Sequence, residues 1–171
     1  MVIKPSRGSA SKNVYKCEDS KQSRMMFERI LGIPGYANGT ISDAVLIQAH
    51  IDGEEYCVDT VSCDGEHKIV AIWKCEKRQV SPEASFVFSA SEIVSEPLVE
   101  FGPHVYASMK LYVRKVLDSF EVRYGPSHLE LKVQHHDKKG SKTGDQIVLI
   151  EANIGRVCYQ IDQLLNIIRH P

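Results

Sequence analysis

The chain has 171 residues, of which 43% are hydrophobic and 25% are charged, as is typical of a globular protein. Its 21 basic and 22 acidic residues leave a net charge of -1, so the overall charge gives no support for a nucleic-acid or anionic-membrane partner. No stretch reaches the roughly 20 apolar residues of a membrane helix, and no signal peptide is recognisable. We therefore expect one cytoplasmic domain that binds neither nucleic acid nor membrane.

The chain opens with a predicted strand that ends at Lys4 and runs into a loop of small residues. This loop extends from Ser6 to Ser11 and includes Gly8 and Ser9. Small side chains let backbone N–H groups approach an anion, and hydroxyl groups add donors. The pattern indicates a lysine beside a phosphate-binding loop, although it matches neither common glycine-rich phosphate-loop motif. An ordinary surface turn after a strand is the alternative.

The next elements are a short strand, a helix and a second apolar strand. Residues 14–17 favour the short strand, and Asp19 or Ser20 is the expected N-cap of a helix with one apolar stripe. Gly32 ends this helix. After a loop rich in glycine and proline, the run AVLIQAHI at residues 44–51 is predicted to be a buried strand.

Residues 54–63 and 66–76 flank Asp64 and Gly65, and this arrangement is the strongest short-range signal of a β-hairpin. The strands on either side carry β-branched and aromatic residues. We predict an antiparallel hairpin with a two-residue turn.

The turn also implies a register for the hairpin. If Cys63 pairs with Glu66 across the turn, Tyr56 lies opposite Trp73 and Glu55 lies opposite Lys74. This register predicts an aromatic pair on one face of the hairpin and an ion pair on the other.

The remaining segments complete an α+β pattern, and their order predicts a mainly antiparallel sheet with flanking helices. They are a third strand near 85–90, an amphipathic helix at about 103–120, the strands HLELKVQ and QIVLIEAN, and a helical pattern from Val157 to Ile168.

Three oxygen-bearing side chains interrupt the apolar pattern of the last two strands. They are Glu130 in HLELKV, and Glu151 and Asn153 in VLIEANIGR. Residues at i and i+2 of a strand point to one face, and an antiparallel neighbour can bring Glu130 alongside. Such oxygen donors suit Mg²⁺. Acidic side chains on a solvated sheet are the alternative.

The segment between Gln48 and Glu55 carries a third possible site. A strand that ends at Gln48 can offer backbone groups to a nucleobase, and Glu55 after the turn can bind ribose hydroxyls. A plain strand–turn–strand connection would leave the same pattern.

The five cysteines form no C-x-x-C pair, and an odd number argues against a closed disulfide framework. We expect reduced cysteines that pack mostly as small hydrophobic side chains. They are Cys17, Cys57, Cys63, Cys75 and Cys158.

The order of these motifs closely resembles the ATP-grasp superfamily. The Lys-Pro-Ser loop is followed by a helix, VLIQAHIDGEEYCVDTVS, IWK, YGPSHLEL and VLIEANIGR. The nearest branch looks like the carboxylate–amine ligases that join amino acids into dipeptides, relatives of D-alanine–D-alanine ligase and biotin carboxylase. The resemblance extends from Lys4 to about Asn153.

The resemblance implies nucleotide-binding roles for the first half of the chain. Lys4 matches a lysine that holds the phosphates, and residues 6–11 match the loop that covers them. Gln48 to Ile51 match the segment that reads adenine through its backbone, and Glu55 matches the carboxylate that binds ribose. Either Lys74 or Lys77 matches a second phosphate-binding lysine.

The resemblance also implies a metal site in the second half. Glu130, Glu151 and Asn153 match ligands of Mg²⁺ or Mn²⁺, and His128 is either a group that orients the site or a structural histidine. The ligases usually carry an arginine two residues after the asparagine. That arginine contacts the transferring phosphate, and Arg156, one residue later than that position, is the candidate catalytic residue.

ATP-grasp ligases phosphorylate a carboxylate with ATP, and an amine then attacks the acylphosphate. We expect this chain to be the ATP·Mg-binding portion of such a ligase, with residues 1–50 from the small subdomain and 51–171 as the larger one. Because the family has further domains before Lys4, we expect a partial ATP-grasp domain that is not active alone. The alternative is a non-catalytic nucleotide-binding or scaffold module.

Overall fold

The computed structural model describes residues 1–6, 11–32, 43–79, 81, 84–134 and 145–155. These residues form eight strands and two helices, and the α+β class expected from the sequence is confirmed. The elements are β1 Val2–Pro5, β2 Tyr15–Lys16, α1 Ser20–Ile30, β3 Val45–Gln48, β4 Glu54–Cys63, β5 Glu66–Gln79, β6 Phe86–Ile93, α2 Pro97–Ser119, β7 Gly125–Gln134 and β8 Gln146–Ile154. Neither of these helices is both long and apolar enough to span a membrane. The predicted C-terminal helix lies outside the described residues.

The chain divides into two units. The first contains Met1–Ile51 and Glu76–Ala90, and the second contains Asp52–Cys75 and Ser91–Pro171. Chain order alone therefore does not define the units, because residues 76–90 belong with the N-terminal segment. The proposed assignment of residues 1–50 and 51–171 to two family subdomains stays a prediction.

The first unit contains a three-stranded sheet with the order β2-β1-β3. β1 pairs antiparallel with both neighbours, and α1 begins after Asp19, whose side chain accepts a 2.7 Å hydrogen bond from the Gln22 backbone N–H. Asp19 is one of the two N-caps that the sequence allowed. The core of the unit consists of Ile3, Tyr15, Cys17, Met26 and Ile30.

The prediction that β3 is a buried strand is wrong. Among the described strands, β3 lies at one edge of its sheet, and the side chains of Leu46 and Ile47 are 42% and 61% exposed. Only Val45 of this strand packs against the core of the first unit. An apolar run alone did not distinguish an edge strand from a buried one.

A five-stranded sheet has the order β6-β5-β4-β7-β8. One of its faces packs against α2. The buried side chains of this core include Tyr56, Val58, Ile72, Met109, Val113, Leu117, Leu129, Leu131 and Val133. α2 begins at Pro97 rather than near residue 103, and its two helical segments meet at a kink at Gly102, where φ is 69°.

The predicted hairpin turn is confirmed. Asp64 and Gly65 both have positive φ values, 52° and 82°, as a type I′ turn requires. Cys63 pairs with Glu66 at the end of the ladder.

The register expected farther along the hairpin is wrong because a bulge intervenes. Ile69 lies opposite Thr60 and Ala71 opposite Asp59, so Val70 is the extra residue on β5. A bulge changes which residues share a face.

Beyond this bulge, Lys74 lies opposite Tyr56 and Trp73 lies opposite Cys57. The ring of Tyr56 instead packs edge-on against Phe101 of α2, with the ring centroids 4.8 Å apart. The bulge therefore places Trp73 on the face of the sheet opposite Tyr56.

Candidate functional site

The face of the five-stranded sheet that does not carry the α2 core is rich in polar and metal-ligating side chains. We call this set of residues the polar face, and all of them lie in the second unit. They are Cys57 and Asp59 on β4, Trp73 on β5, His128 and Glu130 on β7, and Glu151 and Asn153 on β8.

The structure brings together the three predicted metal ligands. Glu130 lies directly opposite Glu151, and Asn153 lies opposite His128. The Asn153 side-chain amide donates a 3.1 Å hydrogen bond to Glu151 Oε1. Two carboxylates and one amide therefore share a half-buried patch of the polar face.

A second bulge produces this arrangement. Leu149 lies opposite Leu131, whereas Glu151 lies opposite Glu130, so Ile150 is the extra residue on β8. Uninterrupted alternation would give Glu151 the same face as Leu149, which packs against the α2 core. The bulge turns Glu151 and Asn153 towards Glu130 instead.

A buried pair lies beside the carboxylates. His128 Nδ1 is 2.7 Å from Asp59 Oδ1, and the Trp73 indole donates a 2.8 Å hydrogen bond to Asp59 Oδ2. Asp59 is completely buried. Its carboxylate is therefore held from two sides.

The charges on this face raise the pKa of His128. Burial lowers this pKa, but the hydrogen bond and charge of Asp59 outweigh burial, with further contributions from Glu130 and Glu151. The negative potential of the acidic residues therefore reaches the imidazole.

Glu55, the predicted ribose ligand, is also on β4. It lies opposite Lys132 of β7, and the two charged groups are 3.7 Å apart. Glu55, Cys57 and Asp59 are alternate residues of β4. The candidate ribose ligand therefore lies on the same side of this strand as the polar face.

The structure separates the two candidate phosphate lysines. Lys74 lies on the α2 side of the sheet, where its ammonium group is 2.8 Å from Glu54 and 3.1 Å from Glu100. Hydrogen bonds to these two carboxylates raise the pKa of Lys74. Trp73, Cys75 and Lys77 are alternate residues of β5, so regular alternation puts Lys77 on the same side of this strand as Trp73.

The first unit holds the other predicted nucleotide residues. Lys4 lies opposite Leu46 and Val2 lies opposite Gln48, so Lys4 and Gln48 share one face of the three-stranded sheet. The Ser6 backbone N–H donates to Ala44 at 3.1 Å, and Ile51 ends the first segment of the unit. Gly8, Ser9 and Arg156 lie outside the described residues.

The sequence analysis did not select Cys57, Asp59, Trp73 or Lys132 as site residues. Cys57 and Asp59 follow Glu55 at alternate positions of β4, and Lys132 follows Glu130 in the same way. This period of two was an available signal. Trp73 had none, because the Val70 bulge determines its face.

The geometry can be compared with known proteins. A family model described as an ATP-grasp domain matches residues 1–161. The chain belongs to this ATP-grasp family. Dapdiamide A synthase from Enterobacter agglomerans is 32% identical to it over 79 residues, which are 46% of this chain and 18% of that protein.

The fold of this ATP-grasp chain is also found in a solved structure. The crystal structure of an L-amino acid ligase from Bacillus licheniformis matches 92% of the chain with a TM-score of 0.57 and 19% sequence identity. This match covers 32% of the ligase chain. The chain therefore spans about a fifth of the synthase and a third of the ligase.

Proposed function

We propose that this ATP-grasp chain binds ATP together with Mg²⁺, for which Mn²⁺ can substitute. The observation that carries the proposal is the convergence of Glu130, Glu151 and Asn153 on one half-buried patch. Directly opposed carboxylates repel each other, so a bound cation stabilises them. Oxygen donors of this kind are the ligands that Mg²⁺ prefers.

The role of the proposed metal ligands is to hold a cation beside the phosphates of the nucleotide. Bound Mg²⁺ supplies positive charge that neutralises the phosphate oxygens. Glu130 of β7 and Glu151 of β8 would bind this cation between the two strands. The Asn153 amide fixes the orientation of the Glu151 carboxylate.

We assign the nucleotide contacts from the family resemblance. Lys4 and the loop that begins at Ser6 and includes Gly8 and Ser9 bind the phosphates. The backbone from Gln48 to Ile51 contacts adenine, and Glu55 binds the ribose hydroxyls.

Of the two lysines that the sequence left open, we choose Lys77 as the second phosphate ligand. Lys74 forms ion pairs with Glu54 and Glu100 on the α2 side of the sheet. Lys77 alternates with Trp73 along β5 and therefore belongs to the opposite side of this strand. No catalytic role is assigned to Arg156.

We further propose that the chain is part of a carboxylate–amine ligase. In this reaction the carboxylate oxygen attacks the terminal phosphorus of ATP, ADP leaves, and an acylphosphate forms. A small-molecule amine then attacks the acyl carbon and inorganic phosphate leaves. The names of the two relatives, a dapdiamide synthase and an amino acid ligase, support small carboxylate and amine substrates. A non-catalytic nucleotide-binding or scaffold module is the second candidate.

The first test is stabilisation of the full chain by nucleotide. We expect MgATP to raise the free energy of unfolding by about 2.7 kcal/mol at 100 times its dissociation constant, and ATP with EDTA to give a smaller gain. Absence of any MgATP-dependent change at millimolar ligand would overturn the proposal.

The second test separates a ligase from a binding module. Release of ADP and phosphate that requires both a carboxylate and an amine would support the ligase. Nucleotide binding without such release, across a panel of amino acids, would favour the binding module for the chain as it stands.

A further inference from the structure

Three side chains of different chemistry converge on the polar face. Three potential ligand atoms lie within 4.8 Å of one another: the sulfur of Cys57, a ring nitrogen of His128 and a carboxylate oxygen of Glu130. Cys57 and Glu130 are directly opposed on β4 and β7, and Cys57 and His128 are both buried. This set differs from the proposed magnesium ligands because it contains a thiol and an imidazole.

The histidine is oriented as metal-binding histidines usually are. Such residues commonly donate one ring N–H to a carboxylate, which fixes the ring and makes the other nitrogen a better ligand. His128 Nδ1 lies 2.7 Å from Asp59 Oδ1. Trp73 holds the other oxygen of Asp59 through a 2.8 Å hydrogen bond.

We propose that Cys57, His128 and Glu130 bind a borderline-soft divalent cation of the Zn²⁺ class. Sulfur, imidazole nitrogen and carboxylate oxygen are all established zinc ligands, whereas Mg²⁺ prefers oxygen alone. On binding, the Cys57 thiol releases its proton to solvent and the thiolate coordinates the cation. A second sulfur is close by, because Cys75 Sγ lies 2.9 Å from Cys57 Sγ.

The site shares one residue with the proposed magnesium site, and this overlap has a consequence. Because Glu130 belongs to both residue sets, we expect Zn²⁺ bound there to weaken Mg²⁺-dependent nucleotide binding. This competition rests on the proposed function. Binding of Zn²⁺ itself does not, so the two proposals can fail separately.

Co²⁺ is the probe for the test, because cobalt bound by thiolate gives a near-ultraviolet sulfur-to-metal charge-transfer band. The full reduced chain is titrated with Co²⁺ without nucleotide, and Zn²⁺ is then added. We expect a band that saturates at one Co²⁺ per chain and that Zn²⁺ abolishes. Cys57→Ser should remove the band, and Cys63→Ser, which changes an exposed cysteine, should leave it unchanged.

Asp59→Asn tests the orientation of His128. Loss of the carboxylate should weaken Co²⁺ binding about 10- to 100-fold while the charge-transfer band remains at saturation. Circular dichroism checks that each variant is folded. If Cys57→Ser does not fold, Cys57→Ala and Glu130→Gln replace it, and either should weaken Co²⁺ binding at least tenfold.

Two results would overturn the proposal. One is a wild-type chain that gives no charge-transfer band at millimolar Co²⁺. The other is a band of unchanged intensity and affinity in a folded Cys57 variant. Competition of Zn²⁺ with MgATP is measured separately, so its absence would count against the overlap of the two sites and not against Zn²⁺ binding.

Discussion

Glu130 of β7 and Glu151 of β8 form a directly opposed cross-strand pair. Two carboxylates in this position repel each other, and such pairs typically destabilise a sheet by a few tenths of a kcal/mol to about 1 kcal/mol. The same repulsion favours a cation between them. We therefore expect a substitution that removes one of these charges to raise the free energy of unfolding and to weaken cation binding.

Glu151→Gln should stabilise the chain without ligand and weaken its response to magnesium. Removing one charge should raise the free energy of unfolding by about 0.2–1 kcal/mol in EDTA. The variant should then lose the Mg²⁺-dependent part of the stabilisation by ATP. Urea unfolding with and without MgATP measures both effects. Glu66→Gln, at an exposed glutamate beside the hairpin turn, is the control. A variant with an unchanged magnesium response would remove Glu151 from the site.

The two candidate lysines should behave differently when each is changed to methionine. Lys74→Met should lower the free energy of unfolding by about 1 kcal/mol, because it leaves Glu54 and Glu100 close together without their shared cation. This figure is already reduced for solvent screening, since the lysine side chain is 38% exposed. It should leave nucleotide affinity unchanged. Lys77→Met should weaken ATP binding at least tenfold with a smaller effect on stability. Calorimetry and urea unfolding on both variants decide the assignment, and the reverse pattern would contradict it.

Tyr56 should make the stability of the chain depend on alkaline pH. Its hydroxyl lies 3.0 Å from both Glu54 and Glu100, and burial followed by these carboxylates raises the pKa of Tyr56. A raised pKa in the folded state contributes stability below the unfolded-state pKa, about 10, and this contribution declines as pH rises through the folded-state value.

Tyr56→Phe is the matching variant. At pH 7 the wild type should be more stable than Tyr56→Phe by about 1.5 kcal/mol, the typical contribution of a hydrogen bond to a charged group. This difference should shrink above pH 10. Urea midpoints measured from pH 7 to pH 11 test it, and a difference that grows with pH would contradict the assigned direction.

Gly53→Ala should be more destabilising than Gly65→Ala. Both glycines have positive φ, but a Cβ at Gly53 would lie 2.5 Å from the backbone oxygen of Val133, whereas a Cβ at Gly65 meets nothing within 4 Å. The first variant therefore adds a backbone clash to the strain of about 1–3 kcal/mol that both variants share. Thermal unfolding compares them. Equal losses of stability would show that β4 and β7 can separate at this point without cost.

The described cysteines should react with iodoacetamide in an order set by burial. Cys63 is exposed, and Cys17, Cys57 and Cys75 are buried. Burial also raises the pKa of Cys17, and a thiol with a raised pKa carries less of the reactive thiolate. Peptide mass spectrometry under native conditions should find Cys63 labelled first. Labelling of Cys57 at the rate of Cys63 would contradict the buried position of that thiol.

Several features were predictable because local chemistry determines them. Asp64 and Gly65 tolerate the positive φ values of a tight turn, and Asp19 has the side chain that an N-cap requires. The period of two in HLELKV and IEAN placed Glu151 with Asn153 and allowed Glu130 beside them. The expectation that cysteines pack mostly as small hydrophobic side chains agrees with Cys17, Cys57 and Cys75, which are buried.

Other features depended on contacts between distant segments. The expectation that Tyr56 faces Trp73 failed because Val70 is an extra residue in the ladder, and no local signal marks a bulge within an apolar strand. Likewise, the 61% exposure of Ile47 depends on which segments pack over its face of the sheet, and the apolar run itself does not specify them.

The sequence by itself determined the α+β class, the hairpin turn, the helix cap and the residue types of the candidate metal site, because each depends on nearest neighbours along the chain. Only the tertiary structure decided which side chains share a face. The bulges at Val70 and Ile150 direct Trp73 and Glu151 to the polar face. A single extra residue reverses the alternation of a strand, and its position is determined by packing across the whole sheet.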